Sequence, residues 1–594
     1  MGDERNLTKA EEQHRREDAE EREARRRAII ERPRFEGLQI APDVDFYPEV
    51  ADREPGDNNI VKWGFDLHPQ VTFWSAGLVV ALLVVTLAFR EPMEAFFVDL
   101  RDGISASFGW FYILGANIYV LAGLFFAFSR FGKIRLGGPQ ARPEFSSGAW
   151  YAMLLSAGMG IGLMFWSVAE PIFHLTSPAP VFNVEAGSAL AASAALATTF
   201  YHWGIHPWGI YALVSLALAF FAFNRGLPLT FRSVFYPLLG ERIYGPWGNV
   251  IDVLTVLATL FGLASSLGFG VGQAAAGLNF LFGWPQDTWF QVVLIAVITG
   301  MATMSVVAGL DGGVKRLSQL NIYLAAGFLI FIVVVGPTLY LLSVFIQSTG
   351  FYFQVLPELS FWNEAFGESG WQGTWTVFYW GWWISWSPFV GMFIARISKG
   401  RTVRELILGV VFMPSLLSFM WMAVFGGAAI NLQLNGIVDL ATAVNENVAT
   451  ALFVMLEGFP LTEVTSIVGV LLVVSFFVTS SDSGSLVVDH LTSGGKLDSP
   501  KPQRVFWAVM EGAIAAVLLL GGGLNALQAM AIASGLPFAI ILLFMCWSMY
   551  TAFDEELDLL EEYYDAALFK IRHPSLHPDE EEESVGGSTT STGA

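Results

Sequence analysis

Aromatic residues recur at helical spacing within one apolar stretch, residues 375–389. The stripe consists of Trp375, Tyr379, Trp382 and Trp386. Their spacing of i, i+4, i+7 and i+11 places the four rings on one face of a helix. Ring faces attract a desolvated cation by about 2 kcal/mol or more each, without accepting a conventional hydrogen bond. The stripe therefore suits a quaternary ammonium group, which has no N–H to donate.

Plain packing and an aromatic belt at a membrane surface are the two other interpretations of this stripe. A belt is a thin layer, whereas the stripe extends about 16 Å along a helix at 1.5 Å per residue. The length of the stripe thus favours a binding surface over a belt.

A second aromatic cluster lies in residues 203–211, around Pro207. Neither aromatic stretch contains Asp or Glu. A cage of rings without a facing carboxylate favours a quaternary ammonium over an amine that needs an acceptor. His202 and His206 stand one helical turn apart beside this cluster. They are interpreted either as a metal site or proton relay, or as packed, hydrogen-bonded side chains that frame the rings.

Glycines at alternate positions interrupt a third apolar stretch, Ala157-Gly158-Met159-Gly160-Ile161-Gly162. Each glycine weakens a helix by about 1 kcal/mol relative to alanine. Within a membrane, freed backbone groups are tolerated where they are buried in protein or line a cavity. The stretch predicts a broken helix beside a substrate or ion site. The alternative is a seam of small residues for close helix packing.

The composition predicts an integral membrane protein. The chain has 594 residues, of which 54% are hydrophobic and 14% charged, and apolar runs of about 20 residues recur. The net charge of −21 argues against nucleic-acid binding, which requires a basic surface. A catalytic interpretation of the Ser/Asp run at residues 479–483, with His490 nearby, lacks a nucleophile-elbow or phosphate-loop pattern. We therefore predict neither an enzyme nor a cofactor.

The apolar runs predict an all-α integral membrane fold of twelve transmembrane helices. Lys and Arg cluster in the loops after even-numbered helices, and the loops after the third, seventh and ninth helices carry none. By the positive-inside rule, both termini are cytoplasmic in a multi-pass protein of the inner (plasma) membrane. The predicted helix centres are residues 80, 119, 160, 205, 263, 298, 330, 386, 418, 472, 513 and 540.

Two sets of five helices form a predicted inverted repeat, because an odd number of helices inverts the second copy in the membrane. The first helix of each set contains helix breakers, namely the three glycines in one and Pro388 with Gly391 in the other. Matching interruptions in two inverted halves point to a binding site. The predicted organisation is a cytoplasmic arm (1–66), two additional helices (67–146), a first repeat (147–346), an amphipathic surface segment (347–373), a second repeat (374–551) and an acidic cytoplasmic tail (552–594).

Three stretches together resemble the betaine/choline/carnitine transporter family, and most closely its sodium-coupled glycine betaine carriers. They are the glycine stretch continuing to Glu170-Pro171, the run from His202 to Tyr211, and the segment from Trp375 to Arg396. The resemblance implies the LeuT-like fold of sodium-coupled amino-acid transporters, with two extra N-terminal helices, assembled in the lipid membrane as a homotrimer. It also implies an aromatic box of Trp203, Trp208, Tyr211 and Trp383, with Trp382, Trp386, Gly160 and Gly162 as further substrate contacts.

The same resemblance implies that sodium is the coupling ion. One sodium would lie between backbone carbonyls of Ser156, Met159 and Phe476 and the hydroxyls of Thr479 and Ser480. Without the resemblance, these hydroxyls would be interpreted as bonding back to helix carbonyls. The implied second sodium site involves Thr259 and Phe389, but Leu263 occupies the position of its other threonine. Coupling to two ions through a remodelled site, and coupling to one ion, both stay open.

The favoured hypothesis is sodium-coupled uptake of glycine betaine or a similar zwitterionic compatible solute for osmoprotection. Gly162 favours a zwitterion, because choline carriers of the family tend to have Asp there. The alternative is a carrier or sodium-independent exchanger of choline, carnitine or ectoine, and a third hypothesis is a membrane sensor that does not transport. The tail is acidic, so activation through anionic lipid is not implied. Glu511, inside the eleventh helix, has no assigned role.

Overall fold

The computed structural model describes residues 54–572, except residues 159, 309–314 and 368. Most of the predicted N-terminal arm, the end of the acidic tail and the predicted sodium ligand Met159 therefore lie outside the described residues. Within them the protein is helical, apart from one short antiparallel hairpin that pairs β1 (Ile60–Lys62) with β2 (Phe65–Leu67).

The first half of the described chain contains eleven α-helices. These are α1 (Pro69–Ala88), α2 (Arg90–Phe128), α3 (Ser147–Gly158), α4 (Ile161–Thr176), α5 (Ala189–Trp203), α6 (Ile205–Phe223), α7 (Tyr236–Leu239), α8 (Pro246–Phe282), α9 (Thr288–Ala308), α10 (Lys315–Val335) and α11 (Thr338–Phe361). Short 3-10 turns join several of them, at Arg130–Lys133, Pro180–Phe182, Arg232–Phe235 and Gly240–Tyr244.

The second half contains seven more helices. These are α12 (Trp371–Thr374), α13 (Thr376–Ile397), α14 (Val403–Leu434), α15 (Leu440–Glu446), α16 (Ala451–Leu456), α17 (Thr462–Thr492) and α18 (Lys501–Arg572), with a 3-10 turn at Val448–Thr450. The long α18 comprises two helices that meet at Gly522 and Gly523, whose backbone angles are not helical. Gly523 has a φ of 60°, which favours glycine.

The described helices are those of a multi-pass membrane protein. Ten of them, with α5 and α6 taken as one stretch, are long and apolar enough to cross a bilayer, and eleven if α3 and α4 form one bent span. This confirms the predicted all-α membrane class. The count of twelve and the inverted repeat stay predictions.

The predicted helix break at the alternating glycines is confirmed. The axis turns by 62° between Ser147–Ser156 and Ile161–Thr176. Gly160 lies at the break with an extended backbone, φ −166° and ψ −175°. The backbone groups freed by the break thus lie in the interior of the helix bundle.

The break predicted at Pro388 and Gly391 is wrong, because α13 continues through both residues. Pro388 cannot donate to the Ile384 carbonyl four residues earlier. The Ser387 hydroxyl donates to that carbonyl instead, at 2.7 Å. At Gly391 a Cβ would lie 2.3 Å from Cγ1 of Val214. This glycine therefore permits close packing of α13 against α6.

The polar segment predicted to lie at the surface from residue 347 belongs to a longer helix. α11 begins at Thr338, immediately after Pro337, and continues past Pro357 to Phe361. The break from α10 therefore falls at Gly336 and Pro337, earlier than the predicted boundary. Most side chains of α11 are exposed or half-buried, as expected for a helix at the periphery of the bundle.

Buried charges tie the loops to the helix ends. In the turn after α6, the Arg232 guanidinium contacts the Asp252 carboxylate of α8, and the Arg232 backbone N–H donates to Asp252 Oδ1 at 3.0 Å. Both side chains are buried. By contrast, the Arg130–Asp554 pair is exposed, at 61% and 43% of the two side chains.

These two pairs predict a difference in stability. Asp252→Ala removes one partner of a buried pair and leaves a buried charge, at a cost of about 3–5 kcal/mol. Asp554→Ala breaks an exposed pair, worth about 0–1 kcal/mol. We expect the apparent melting temperature of the purified protein in detergent to fall clearly for Asp252→Ala and little for Asp554→Ala. Equal shifts for the two variants would contradict this reading of the loop.

Candidate functional site

A cavity of about 730 Å³ lies where α4, α5, α6, α13 and α17 meet. It is large enough for a small organic solute. The predicted substrate-binding residues all line it, namely Trp203, Trp208, Tyr211, Trp382, Trp383, Trp386, Gly160 and Gly162. The structure thus brings two aromatic clusters, separate in the sequence, around one space. Their role in binding stays a prediction.

The rings at the cavity pack edge to face and in parallel. Trp203 and Trp383 meet edge to face, with ring centroids 4.9 Å apart, and Trp208 and Tyr211 do so at 5.3 Å. Trp382 stacks on Trp383 at 4.5 Å, with an angle of 16° between the rings. Such pairs fix ring orientation beyond what area burial alone supplies. The four rings of the predicted box (Trp203, Trp208, Tyr211 and Trp383) therefore have set directions.

Two helix breaks bring these rings together. The first lies at Gly160, so that α4 begins beside the cavity. The second lies at Gly204, where α5 ends and α6 begins, with φ −107° and ψ −124°. A Cβ on Gly204 would lie 2.4 Å from a ring atom of Phe419. Only glycine permits this approach, and the resulting offset places Trp203 and Trp208 on the same cavity.

Gly162 lies against the box itself. A Cβ built there would be 2.7 Å from Cη2 of Trp203 and 3.0 Å from Cη2 of Trp382. Any side chain at this position requires both rings to shift, because indole rings are rigid. The glycine therefore has a second role besides weakening the helix, which is to let the backbone approach the rings.

Each of three indole N–H groups at the box has an acceptor. Trp383 Nε1 donates to the His202 carbonyl at 2.8 Å, and Trp382 Nε1 donates to Ser266 Oγ at 3.2 Å. Trp203 Nε1 donates to Glu170 Oε2 at 2.7 Å. These bonds hold the ring planes, which matters because a cation is attracted to ring faces and not to their edges.

Glu170 is a site residue to which the sequence interpretation gave no role. Tyr379 OH also donates to its Oε2, at 2.5 Å. Its Oε1 lies 2.7 Å from His202 Nδ1 and 3.3 Å from His174 Nε2. All these side chains are buried. The expectation of an aromatic site without an acidic residue is thus corrected, since a carboxylate lies behind the rings although it does not line the cavity.

The two histidines of the second cluster have hydrogen-bond partners. His202 contacts Glu170 and, through Nε2, Thr376 Oγ1 at 3.1 Å. His206 Nε2 lies 3.1 Å from Asn117 Oδ1, and its ring stacks with Trp380. This arrangement favours packed, hydrogen-bonded histidines over a relay between them. His202 also belongs to a group with Glu170 and His174 whose geometry could hold a metal ion.

Three of the predicted sodium ligands lie on the same cavity as the box. Ser156, Thr479 and Ser480 line the same cavity. The Thr479 hydroxyl donates to the Ser475 carbonyl at 3.0 Å and to the Phe476 carbonyl at 3.2 Å, so its oxygen can still accept a cation. Phe476 is buried but is not among the lining residues. With Met159 outside the described residues, four of the five predicted ligands lie near this part of the cavity.

The predicted second sodium residues are not brought together on the cavity. Phe389 lines it, whereas Thr259 is fully buried and donates to the Thr255 carbonyl at 2.7 Å. Leu263 is fully buried and packs against α17, since a Cβ on Gly484 would lie 2.6 Å from its Cδ1. An apolar side chain thus occupies the position where the resemblance implies a hydroxyl.

The cavity continues from the box to one end of the bundle. Charged side chains line this end, namely Glu144, Arg396, Asp489, Asp498 and Arg504. They lie in, or close to, the loops after the second, eighth and tenth predicted helices, which carry Lys and Arg clusters. Glu511 lies elsewhere, fully buried, where it accepts from Ser481 Oγ at 3.1 Å.

Comparison with known proteins agrees with the family resemblance found in the sequence. Residues 70–558 match the family described as betaine/carnitine/choline family transporters. A glycine betaine/proline/choline transporter of Vibrio parahaemolyticus is 49% identical, over 83% of this chain and 92% of its own length. Two others from the same organism are 48% identical. One is a glycine betaine/proline/choline/ectoine transporter (86% of this chain, 91% of the relative), and the other is glycine betaine transporter 1 (84% and 96%).

The family match covers most of the chain, including the cavity, both helix breaks and every ring of the box. The relatives are named as transporters, and the match extends over nearly their full length. The chain therefore belongs to the betaine/carnitine/choline transporter family, and it is a membrane transporter and not an enzyme.

Proposed function

We propose that this protein takes up glycine betaine, or a similar zwitterionic compatible solute, by coupling its entry to sodium, and that it serves osmoprotection. The observation that supports this most directly is the juxtaposition of two sites on one cavity. The rings of Trp203 and Trp383 suit a trimethylammonium group, while Thr479 and Ser480 offer hard oxygens suited to sodium. Sites that share a cavity and a broken helix can be coupled energetically.

The proposed architecture is twelve spans in an inverted repeat of five plus five, preceded by α1 and α2. This count follows if α3 and α4 form one span, if α5 and α6 form another, and if the glycine kink divides α18 into two spans. α13 then supplies the eighth span, and α11 lies outside the repeat. The charged mouth of the cavity lies among loops rich in Lys and Arg, which supports an inward-open conformation in the inner membrane with cytoplasmic termini. A homotrimer stays a prediction.

The relatives support a second candidate within the same fold. Two of them are named as carriers of choline and proline as well as glycine betaine, and one also of ectoine. The cavity of about 730 Å³ exceeds what glycine betaine needs and admits larger solutes. Uptake of radiolabelled solute into proteoliposomes, with and without a sodium gradient, separates a sodium-coupled betaine carrier from a sodium-independent exchanger and from a protein that does not transport.

The first prediction for this site concerns the box. Trp383→Ala removes one desolvated ring, so we expect the KM for glycine betaine to rise at least about tenfold. Trp380→Ala is a matched control, because it removes a ring of the same helix that is buried but does not line the cavity. It should lower stability while leaving the KM near the wild-type value. An unchanged KM in Trp383→Ala would exclude the proposed cage.

The second prediction concerns the ion sites. Thr479→Ala removes an oxygen that lines the cavity, so we expect sodium-stimulated uptake to be abolished. Thr259→Ala removes a hydroxyl that bonds to its own helix, so its effect should be smaller. The sodium dependence of initial uptake rates compares the two variants. Robust sodium-stimulated uptake by Thr479→Ala would contradict the placement of the first ion.

The third prediction concerns solute choice. Gly162→Asp adds a negative charge beside the box, which favours choline, a net cation, over zwitterionic betaine. Because a Cβ there lies close to Trp203 and Trp382, the rings must first move. Gly162→Ala is the matched control for this movement without the charge. We expect both variants to lose betaine affinity and only Gly162→Asp to gain choline uptake in competition assays. Strong choline uptake by the wild type would contradict the predicted preference for a zwitterion.

A further inference from the structure

Behind the aromatic box, one carboxylate is enclosed by hydrogen-bond donors. Glu170 Oε2 accepts from Trp203 Nε1 at 2.7 Å and from Tyr379 OH at 2.5 Å. An indole N–H can only donate, so Oε2 acts as an acceptor and cannot carry a proton directed at the ring. Its other oxygen lies 2.7 Å from His202 Nδ1 and 3.3 Å from His174 Nε2. Four donors around two oxygens indicate an ionised carboxylate.

The hydrogen bonds fit two neutral histidines. His174 donates through Nε2, while its Nδ1 is buried without a partner among the described residues. A proton on that Nδ1 would be an unsatisfied buried donor, which is costly. His202 donates through Nδ1, and its Nε2 can accept from Thr376 Oγ1 at 3.1 Å. With both rings neutral, the cluster keeps one net negative charge.

Within the described part of the chain, no lysine or arginine pairs with Glu170; its ion-pair contacts are the two histidines alone. The carboxylate is fully buried and lies one indole ring away from the cavity. In a medium of low dielectric constant, such a charge acts strongly across a short distance. Hydrogen bonding of the Trp203 N–H to an anion also increases the electron density of the ring that faces the cavity, which strengthens its attraction for a cation.

We propose that Glu170 determines the specificity of the box for charge. It positions Trp203 and Tyr379, and its negative charge behind Trp203 selects a cationic trimethylammonium group over a neutral group of the same shape. The inference rests on the proposed function, because it takes a betaine-like solute as the ligand. A metal ion held by Glu170, His174 and His202 is the competing reading. The 2.7 Å contact between His202 Nδ1 and Oε1 is a hydrogen-bond distance, which favours the network without a metal.

The test compares glycine betaine with tert-butylacetate, in which carbon replaces the quaternary nitrogen and the carboxylate is kept. The affinities of both are measured by competition against radiolabelled betaine in proteoliposomes and by tryptophan fluorescence of the purified full-length protein. We expect the wild type to bind betaine at least tenfold more tightly. In Glu170→Gln, which removes the charge at nearly constant shape, we expect this ratio to fall about tenfold. That change corresponds to about 1.4 kcal/mol.

Two further variants separate charge from shape. Glu170→Asp keeps the charge but withdraws it from Trp203, so both affinities should fall while the ratio between the ligands is largely retained. Glu511→Gln removes another fully buried carboxylate, one that does not line the cavity, and should leave the ratio unchanged. A structural collapse at residue 170 would weaken both ligands equally and would overturn the proposal.

The same measurements show whether the role proposed for Glu170 fails or the proposed function itself fails. If the wild type binds neither compound, the betaine assignment fails. If the wild type binds betaine and Glu170→Gln keeps the full preference over tert-butylacetate, the role of Glu170 fails while the function stands. If Glu170→Gln does not fold, equal wild-type affinities for the two compounds still reject selection by charge. A stoichiometric metal ion in the purified wild type would likewise overturn the hydrogen-bonded reading.

Discussion

The proposed attraction between aromatic ring faces and a cation without hydrogen-bond donors is the interaction around which the candidate site is arranged. It is directional, because only the faces of a ring attract positive charge. The protein must therefore fix the planes of several large rings inside a membrane bundle. It does so through their N–H groups, with acceptors as different as a backbone carbonyl for Trp383, a hydroxyl for Trp382 and a carboxylate for Trp203. The polar residues around the box thus orient its aromatic rings.

The need to fix the ring planes is reflected in which helices are broken and which are continuous. α3–α4 is broken at Gly160, and Gly162 in the next turn lets the backbone approach the rings. α5–α6 is broken at Gly204, which lies against Phe419 of α14. α13, which supplies Trp382, Trp383 and Trp386, stays continuous despite Pro388, because the Ser387 hydroxyl satisfies the carbonyl that the proline frees. A stripe of rings at i, i+4 and i+7 is maintained only in an unbroken helix. The interrupted helices and the continuous α13 thus both contribute rings to the cavity.

Part of the cavity lining could be predicted from spacing in the sequence. Trp382 and Trp386 of the aromatic stripe line the cavity, whereas Trp375 and Tyr379 of the same stripe do not. The stripe from Trp375 to Trp386 and the glycines at 158–162 are local patterns, and their helical consequences are local as well. What could not be predicted was which breaker actually breaks its helix. Pro388 is a stronger breaker than Gly160 by residue type alone, and the hydroxyl of one preceding serine reverses that expectation. A serine hydroxyl that replaces a lost backbone hydrogen bond leaves no periodic pattern in the sequence.

Glu170 illustrates a second limit on predicting the site from the sequence. An ionisable residue within a membrane segment is a functional candidate by default, and this rule singled out Glu511 while Glu170 was noted only as part of a family motif. A carboxylate thirty-three residues from Trp203 and farther still from Tyr379 has no local relation to either ring in the sequence. Their contact arises from the fold, in which Glu170 of α4 reaches Trp203 of α5 and Tyr379 of α13 through its side chain. The aromatic clusters could be recognised in the sequence, whereas the residue that orients Trp203 and Tyr379 could be found only from the fold.

The proposed sodium coupling sets how strongly the transporter could concentrate its solute. One sodium ion entering down about 100 mV and a tenfold gradient supplies roughly 2.3 + 1.4, or about 3.7 kcal/mol, enough for a several hundredfold accumulation of a zwitterion. Two ions supply about 7.4 kcal/mol, on the order of 10⁵-fold. Thr479 and Ser480, of the proposed first site, line the cavity, whereas Leu263 packs against Gly484 where a second hydroxyl is implied. Since a leucine cannot coordinate an ion, a second sodium would need backbone carbonyls or water on α8 in place of that hydroxyl. Such a site requires α8 to separate from α17, so two-ion coupling would be tied to a change in the packing of these two helices.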